Sequence, residues 1–175
     1  IRDDGCGMTA DIVKNHWLDI GTDSKRGRNR MRSKKFFRMP LGEKGVGRLA
    51  VQKLGSGFRM VTRSEGAPEI LVELGWKDLI DSSDYVDGGL QVQVTERADA
   101  IDFPGDQHGT LIEISGLTRK EWARKDLRDL KRLVVSLESP FQTNASFRVT
   151  REMPGREKDI YDVPDLKELL RRSIW

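Results

Sequence analysis

The sequence predicts an α/β two-layer sandwich, a mostly antiparallel mixed sheet covered on one face by helices. Three observations carry that prediction. Val13, Trp17 and Ile20 stand at helical spacing near the start of the chain. Four short segments between 57 and 115 then alternate apolar and polar residues with strand composition. After them Leu127, Leu130, Val134 and Leu137 line one face of a further helix.

The elements follow in order. Residues 3–8, DDGCGM, form a Gly-punctuated turn, and Thr9 is placed to cap a helix over about 10–19. Residues 21–44 mix Gly, Ser, Asn and Pro with basic residues and keep no period, so they read as a long loop. Loops of that length inside a compact domain are usually functional lids or disordered segments. A second helix opens at Gly47 and runs to about Leu54, carrying Leu49 and Ala50. Strands are predicted at 57–63 (GFRMVTR), 69–75 (EILVELG), 90–96 (LQVQVTE) and 109–115 (GTLIEIS), each bounded by Gly, Pro or Asp. Thr118 with Glu121 reads as a capping box for a helix to about Leu137. A strand over 145–151 and a short helix from Pro164 complete the reading. Residues 1–138 are expected to form one domain. Residues 139–175 are its edge or the start of a following domain.

Composition narrows the function classes. The 175 residues are 37% hydrophobic and 34% charged with a formal net charge of +3, which excludes a disordered polyelectrolyte. One cysteine excludes a disulfide framework, and two histidines give no zinc-ligand spacing, so a reducing, cytoplasmic setting is the default expectation. Cys6 itself is expected to be a small buried side chain. No apolar run approaches the roughly 18 residues of a membrane span, and no signal-peptide layout is present. The chain opens at Ile1 directly on a turn motif and is expected to be the middle of something longer. The charge is uneven: residues 23–38 hold eight Lys/Arg and one Asp, a local +7, and the remainder is net negative.

Three motifs carry candidate chemistry: DDGCGM at 3–8, GEKGVGRLA at 42–50 and HGTLIEI at 108–114. Residues 45–50 satisfy a G-x-G-x-x-A dinucleotide fingerprint, but that fingerprint needs a strand immediately before it, and here a basic, proline-containing loop precedes it. A Walker P-loop is excluded because no Lys-Ser/Thr pair follows the glycines. What remains is physical: glycines entering a helix permit close approach and aim free N–H groups at an anion, typically phosphate, or else form a hinge without a ligand. In DDGCGM, Asp3 is either an Asx-type turn or a carboxylate that accepts from an exocyclic amino group, with Gly5 and Gly7 removing side chains that would block a flat ring. Met8 is either a core residue or a soft apolar surface for a base.

In their order, these motifs resemble the GHKL ATPase family: an Asp-x-Gly-x-Gly turn, a helix, a long loop ending in Gly-x-x-Gly-x-Gly, a second helix, strands, and Gly-Thr opening a strand. That family includes heat-shock chaperone ATPases, type II topoisomerase ATPase domains, MutL proteins, sensor histidine kinases and MORC proteins. The resemblance spans residues 1–138, and DDGCGMT, IGTDSK at 20–25 and GEKGVGRLA are most similar to the chaperone, MutL and MORC branch. It implies the Bergerat ATP-binding fold, truncated at its N-terminus, with ATP or ADP and Mg²⁺ as ligands. It further implies that Asp3 bonds the adenine amino group, that Gly5 and Gly7 admit the base, that Met8 packs on it, and that Thr110 joins Asp3 around the ring. The lid is then 21–44, and Gly42, Gly45 and Gly47, with Val46 between the last two, wrap the phosphates. Ser24 and Lys25 fall where a contact to ribose or phosphate is expected. Lys44 and Arg48 are either phosphate-neutralising or solvated lid charges.

The family's Mg²⁺-binding asparagine and its glutamate base lie on a helix before the first turn, so both are expected upstream of Ile1. Glu43 is the only carboxylate in the lid motif, and no catalytic base is assigned. The expected role is an ATP-binding domain, belonging to an ATPase in the full-length protein, in which nucleotide orders the lid and drives a conformational change or homodimerisation. The alternatives are a sensor histidine kinase ATP-binding domain and a nucleic-acid-binding module using residues 23–38, whose only aromatics are Phe36 and Phe37. DNA contact through the basic lid is also expected as a secondary role.

Overall fold

A computed structural model of the chain describes residues 1–18, 50–75, 92–135, 149–150, 152–153 and 155. The predicted lid 21–44, the start of the second helix at Gly47 and the helix from Pro164 lie outside the described residues. So does most of the strand predicted at 145–151, of which Val149 and Thr150 are described and are not in a strand. The chain divides into two compact units, Ile1–Arg119 and Lys120–Trp175.

The first unit contains β1 (Arg2–Asp3), α1 (Ala10–Ile12), α2 (Val51–Leu54), β2 (Gly55–Arg63), β3 (Glu69–Gly75), β4 (Gln93–Arg97) and β5 (Gly109–Leu117). The strands form one sheet in the order β1-β5-β2-β3-β4, and among the described residues every pairing is antiparallel. The four strands predicted from alternation are all present: β2 and β5 are two residues longer than expected, β3 has the expected bounds, and β4 runs over 93–97 where 90–96 is predicted, Val92 standing outside it. The fifth, β1, is a two-residue strand that the sequence does not announce.

Thr9 caps α1 as its position predicts, its side chain accepting from the Ile12 amide. The helix then widens into a π turn over Val13–Trp17, closed by the Leu18 amide on the Val13 carbonyl at 2.9 Å. Val13 is fully buried in a cluster with Phe58, Met60, Ile70, Val72 and Leu74, so this helical segment covers one face of the sheet. Trp17 stacks on Phe58 with ring centroids 5.7 Å apart. Val51 of α2 packs against the same cluster.

The opposite face is closed by a loop. Strand β4 lies at the far edge, yet the chain must return to β5 on the other side of β2, so residues 98–108 have to pass β3 and β2. Phe103 plugs this face against Val61, Leu71 and Leu111. Glu69, fully buried, accepts from the amides of Ile101, Asp102 and Phe103 at 3.3, 2.9 and 2.9 Å and pairs with Arg97 at 3.3 Å. A buried carboxylate is tolerable only when bonded this fully. Arg63 donates to the carbonyls of Ala67, Phe103, Gly105 and Gln107. Arg59 bridges Glu113 and Asp102, and these hydrogen bonds, Glu113 first, hold its guanidinium pKa above the ordinary value.

The helix predicted from Thr118 begins later, as α3 (Arg124–Val135) in the second unit. Strand β5 runs on to Leu117, and the Thr118 amide is held by the Leu54 carbonyl at 2.9 Å, so Thr118 belongs to the sheet edge. The reciprocal bond of a capping box comes from Asp126, which reaches back to the Ala123 amide at 3.0 Å. Of the predicted stripe, Leu127 is buried and Leu130 and Val134 are half-buried, while Leu133 off the stripe is exposed; Leu137 lies outside the described residues.

Glu69→Ala leaves three loop amides without their acceptor, with Arg97 keeping Asp102 at 3.4 Å, and is expected to cost about 3 to 5 kcal/mol. Arg132→Ala, which removes an exposed pair with Asp129, is expected to cost less than about 0.5 kcal/mol. Urea unfolding of both variants checks the contrast.

Candidate functional site

The cross-strand register determines what meets at the open end of the helix-covered face. Asp3 stands opposite Thr110, and Thr110 opposite Thr62, so one row across β1, β5 and β2 carries three polar side chains. The next row is apolar, with Ile112 opposite Met60. Side chains two apart on a strand share a face, so the polar row continues the apolar face of Phe58 and Met60.

Asp3 divides its carboxylate. Oδ1 accepts from the amide of Gly5 at 2.9 Å and from the amide of Thr110 at 3.2 Å. The first bond is an Asx turn, so the turn reading of DDGCGM holds at the level of local structure. Among the described residues no donor reaches Oδ2, and Asp3 is exposed. One oxygen therefore builds the turn and ties it to β5, and the other takes no part in these bonds.

Thr62 is fully buried and joins three segments. Its Oγ1 accepts from the Met8 amide at 2.9 Å, donates to the Gly109 carbonyl at 3.0 Å and lies 3.2 Å from Thr110 Oγ1. His108 Nδ1 lies 2.6 Å from the Gly5 carbonyl, and because a carbonyl only accepts, that nitrogen carries the proton. Ser64 Oγ donates to the Cys6 carbonyl at 3.0 Å. The DDGCGM turn is thus fastened to the ends of β2 and β5 by backbone groups. Cys6 is exposed, contrary to the expectation of a buried thiol: the fold uses its carbonyl.

Gly7 has φ +62°, and a Cβ there would come within 1.8 Å of the Arg63 carbonyl. The space that its missing side chain leaves is occupied by strand β2, so Gly7 serves turn closure, which differs from the expected clearance for a ring. Gly109 has φ +142°, and a Cβ there would meet the Asp3 carbonyl at 2.1 Å, which lets β1 lie against the start of β5. Met8 is half-buried and packs against the core cluster, in keeping with its core reading.

The structure therefore brings together Asp3, Gly5, Gly7, Met8 and Thr110. Ser24, Lys25, Gly42, Lys44, Gly45, Val46, Gly47 and Arg48 lie outside the described residues. Sequence reasoning missed Thr62 and His108. The signal for Thr62 is a hydroxyl residue at the position where the Phe58, Met60 alternation calls for a third apolar one. His108 gave none beyond its place beside Gly109.

Residues 1–110 match the family model described as histidine kinase-, DNA gyrase B-, and HSP90-like ATPase. No curated protein matches the chain.

Gly7→Ala combines a positive φ with a backbone clash and is expected to cost more than about 2 kcal/mol. Gly66→Ala, at φ +70° with open space around it, is expected to cost about 1 kcal/mol. Thermal unfolding of the two variants checks the difference.

Proposed function

The chain belongs to the histidine kinase-, DNA gyrase B- and HSP90-like ATPase family and carries a GHKL-type ATP-binding domain over residues 1–110, and we propose that its DDGCGM turn reads the adenine of ATP or ADP. The observation that carries this is the divided carboxylate of Asp3. With Oδ1 occupied by the Gly5 and Thr110 amides, Oδ2 is an anionic acceptor on the residue that stands opposite Thr110 in the sheet. An exocyclic amino group supplies the donor that such an acceptor needs.

Within the proposal, Asp3 accepts from the adenine amino group, Thr110 lies beside it, and Met8 and the glycine turn form the floor. Gly42, Gly45, Val46 and Gly47 wrap the phosphates, Lys44 and Arg48 neutralise them, and Ser24 and Lys25 contact ribose or phosphate. Nucleotide orders the 21–44 lid, and that ordering drives homodimerisation or domain rearrangement, as in the chaperone, MutL and MORC branch. Residues 1–138 act as the ATP-binding domain and 139–175 as its edge or a following element. Bound Mg²⁺ would supply charge neutralisation at the phosphates. Among the described residues no three His, Cys, Asp or Glu side chains gather to hold a metal, so the proposal places none on them and assigns no general base. Among the described residues no helix is long and apolar enough to cross a membrane. The +7 segment at 23–38 gives the lid a charge complementary to a triphosphate, with DNA as a secondary partner.

Titration calorimetry with ADP tests the reading. The chain is expected to bind ADP saturably, and Asp3→Asn, which loses a charged acceptor, is expected to weaken binding by roughly 10- to 100-fold. Tight, salt-sensitive binding of duplex DNA that is indifferent to Asp3→Asn, with no ADP binding, would favour the nucleic-acid module.

A further inference from the structure

Proton counting at Thr62 fixes which hydroxyl of the polar row is the donor. A threonine hydroxyl has one proton and two lone pairs. The Gly109 carbonyl can only accept, so at 3.0 Å it takes the proton of Thr62. The Met8 amide can only donate, so at 2.9 Å it takes a lone pair. Thr62 has no second proton for Thr110, so across the 3.2 Å contact Thr110 is the donor. Thr62 is fully buried, so its own hydroxyl is satisfied by protein groups alone.

From this arrangement we infer that Thr62 is a positioning residue for base specificity: it takes the Thr110 proton, leaves Thr110 Oγ1 as an acceptor beside the acceptor Asp3 Oδ2, and so selects a 6-amino over a 6-oxo purine. The inference rests on the adenine-nucleotide reading. An amino group brings two N–H donors to two acceptors. A 6-oxo group brings lone pairs to lone pairs, and a site whose polar groups are left unpaired discriminates strongly. Without Thr62 the Thr110 hydroxyl is free to turn its proton towards the ligand, and half of that discrimination is lost.

The test is the ratio of IDP to ADP dissociation constants, measured by titration calorimetry on the full chain. Wild type is expected to prefer ADP, and Thr62→Ser, which keeps the hydroxyl, is expected to retain the ratio. Thr62→Val is expected to narrow it by roughly tenfold. Because the valine leaves the Met8 amide and the Gly109 carbonyl unpaired, Thr62→Cys, close in volume and a weak donor and acceptor, decides the matter if the valine variant does not fold. Equal weakening of both ligands in these variants, with the ratio held within about twofold, overturns the role of Thr62, because loosening of the turn alone has no means of telling the two bases apart. Wild type binding neither nucleotide overturns the adenine reading and this inference with it. Wild-type preference for ADP with unchanged variant ratios removes only the inference.

Discussion

The antiparallel register of β2 against β5 is the constraint on which the rest depends. It sets Thr62 opposite Thr110 and Met60 opposite Ile112. A slip of one residue would send every side chain of a strand to the other face. Thr62 would then leave the helix-covered side, and Met60 and Phe58 would leave the core with Val13. The apolar rows hold the register because their burial is worth more than any single polar bond, each large side chain contributing about 1.5 to 3 kcal/mol. The polar row at the end of the face inherits its geometry from them. Strand β1 adds only two residues to the sheet, yet it brings Asp3 into that row.

Arg63 and Glu69 extend the same logic to the other face. Arg63 is the last residue of β2, and Glu69, opposite it, is the first of β3. Their side chains hold the 98–108 loop that leads into Gly109 and Thr110. The Arg63 carbonyl, meanwhile, lies against Gly7. The end of one hairpin therefore fixes both the approach to β5 and the turn containing Asp3. This gives the site a rigid backing without a large number of residues in it.

Much of this was legible in the sequence where the physics is local. Alternation located the four longer strands because each has one apolar face against a helix or a plug. The Asp-x-Gly-x-Gly turn announced itself because Asp and Gly have few local uses. Three features were illegible for reasons that are equally physical. Strand β1 is too short to show a period, and it exists only because β5 offers it a partner. The start of α3 was misplaced because Thr118 fits a capping box in isolation, whereas the fold holds its amide at Leu54 and lets Asp126 close the cap at Ala123. Glu69 reads as a solvated strand terminus until the returning loop brings three amides to it, a contact across more than thirty residues. Gly7 stands out in the sequence as a turn glycine, and what its missing side chain admits, the Arg63 carbonyl, comes from a strand more than fifty residues away.

One row of side chains, joined by the Thr62 hydroxyl and the Asp3 carboxylate, is the proposed floor of an adenine site. Backbone amide NMR during titration with ADP reads that row directly. The amides of Gly5, Met8, Thr62 and Thr110 are expected to shift together along a single saturation curve, while those of Leu127 and Leu130 in the second unit stay unmoved. Shifts confined to residues away from the Asp3 turn, or none at saturating nucleotide, would contradict it.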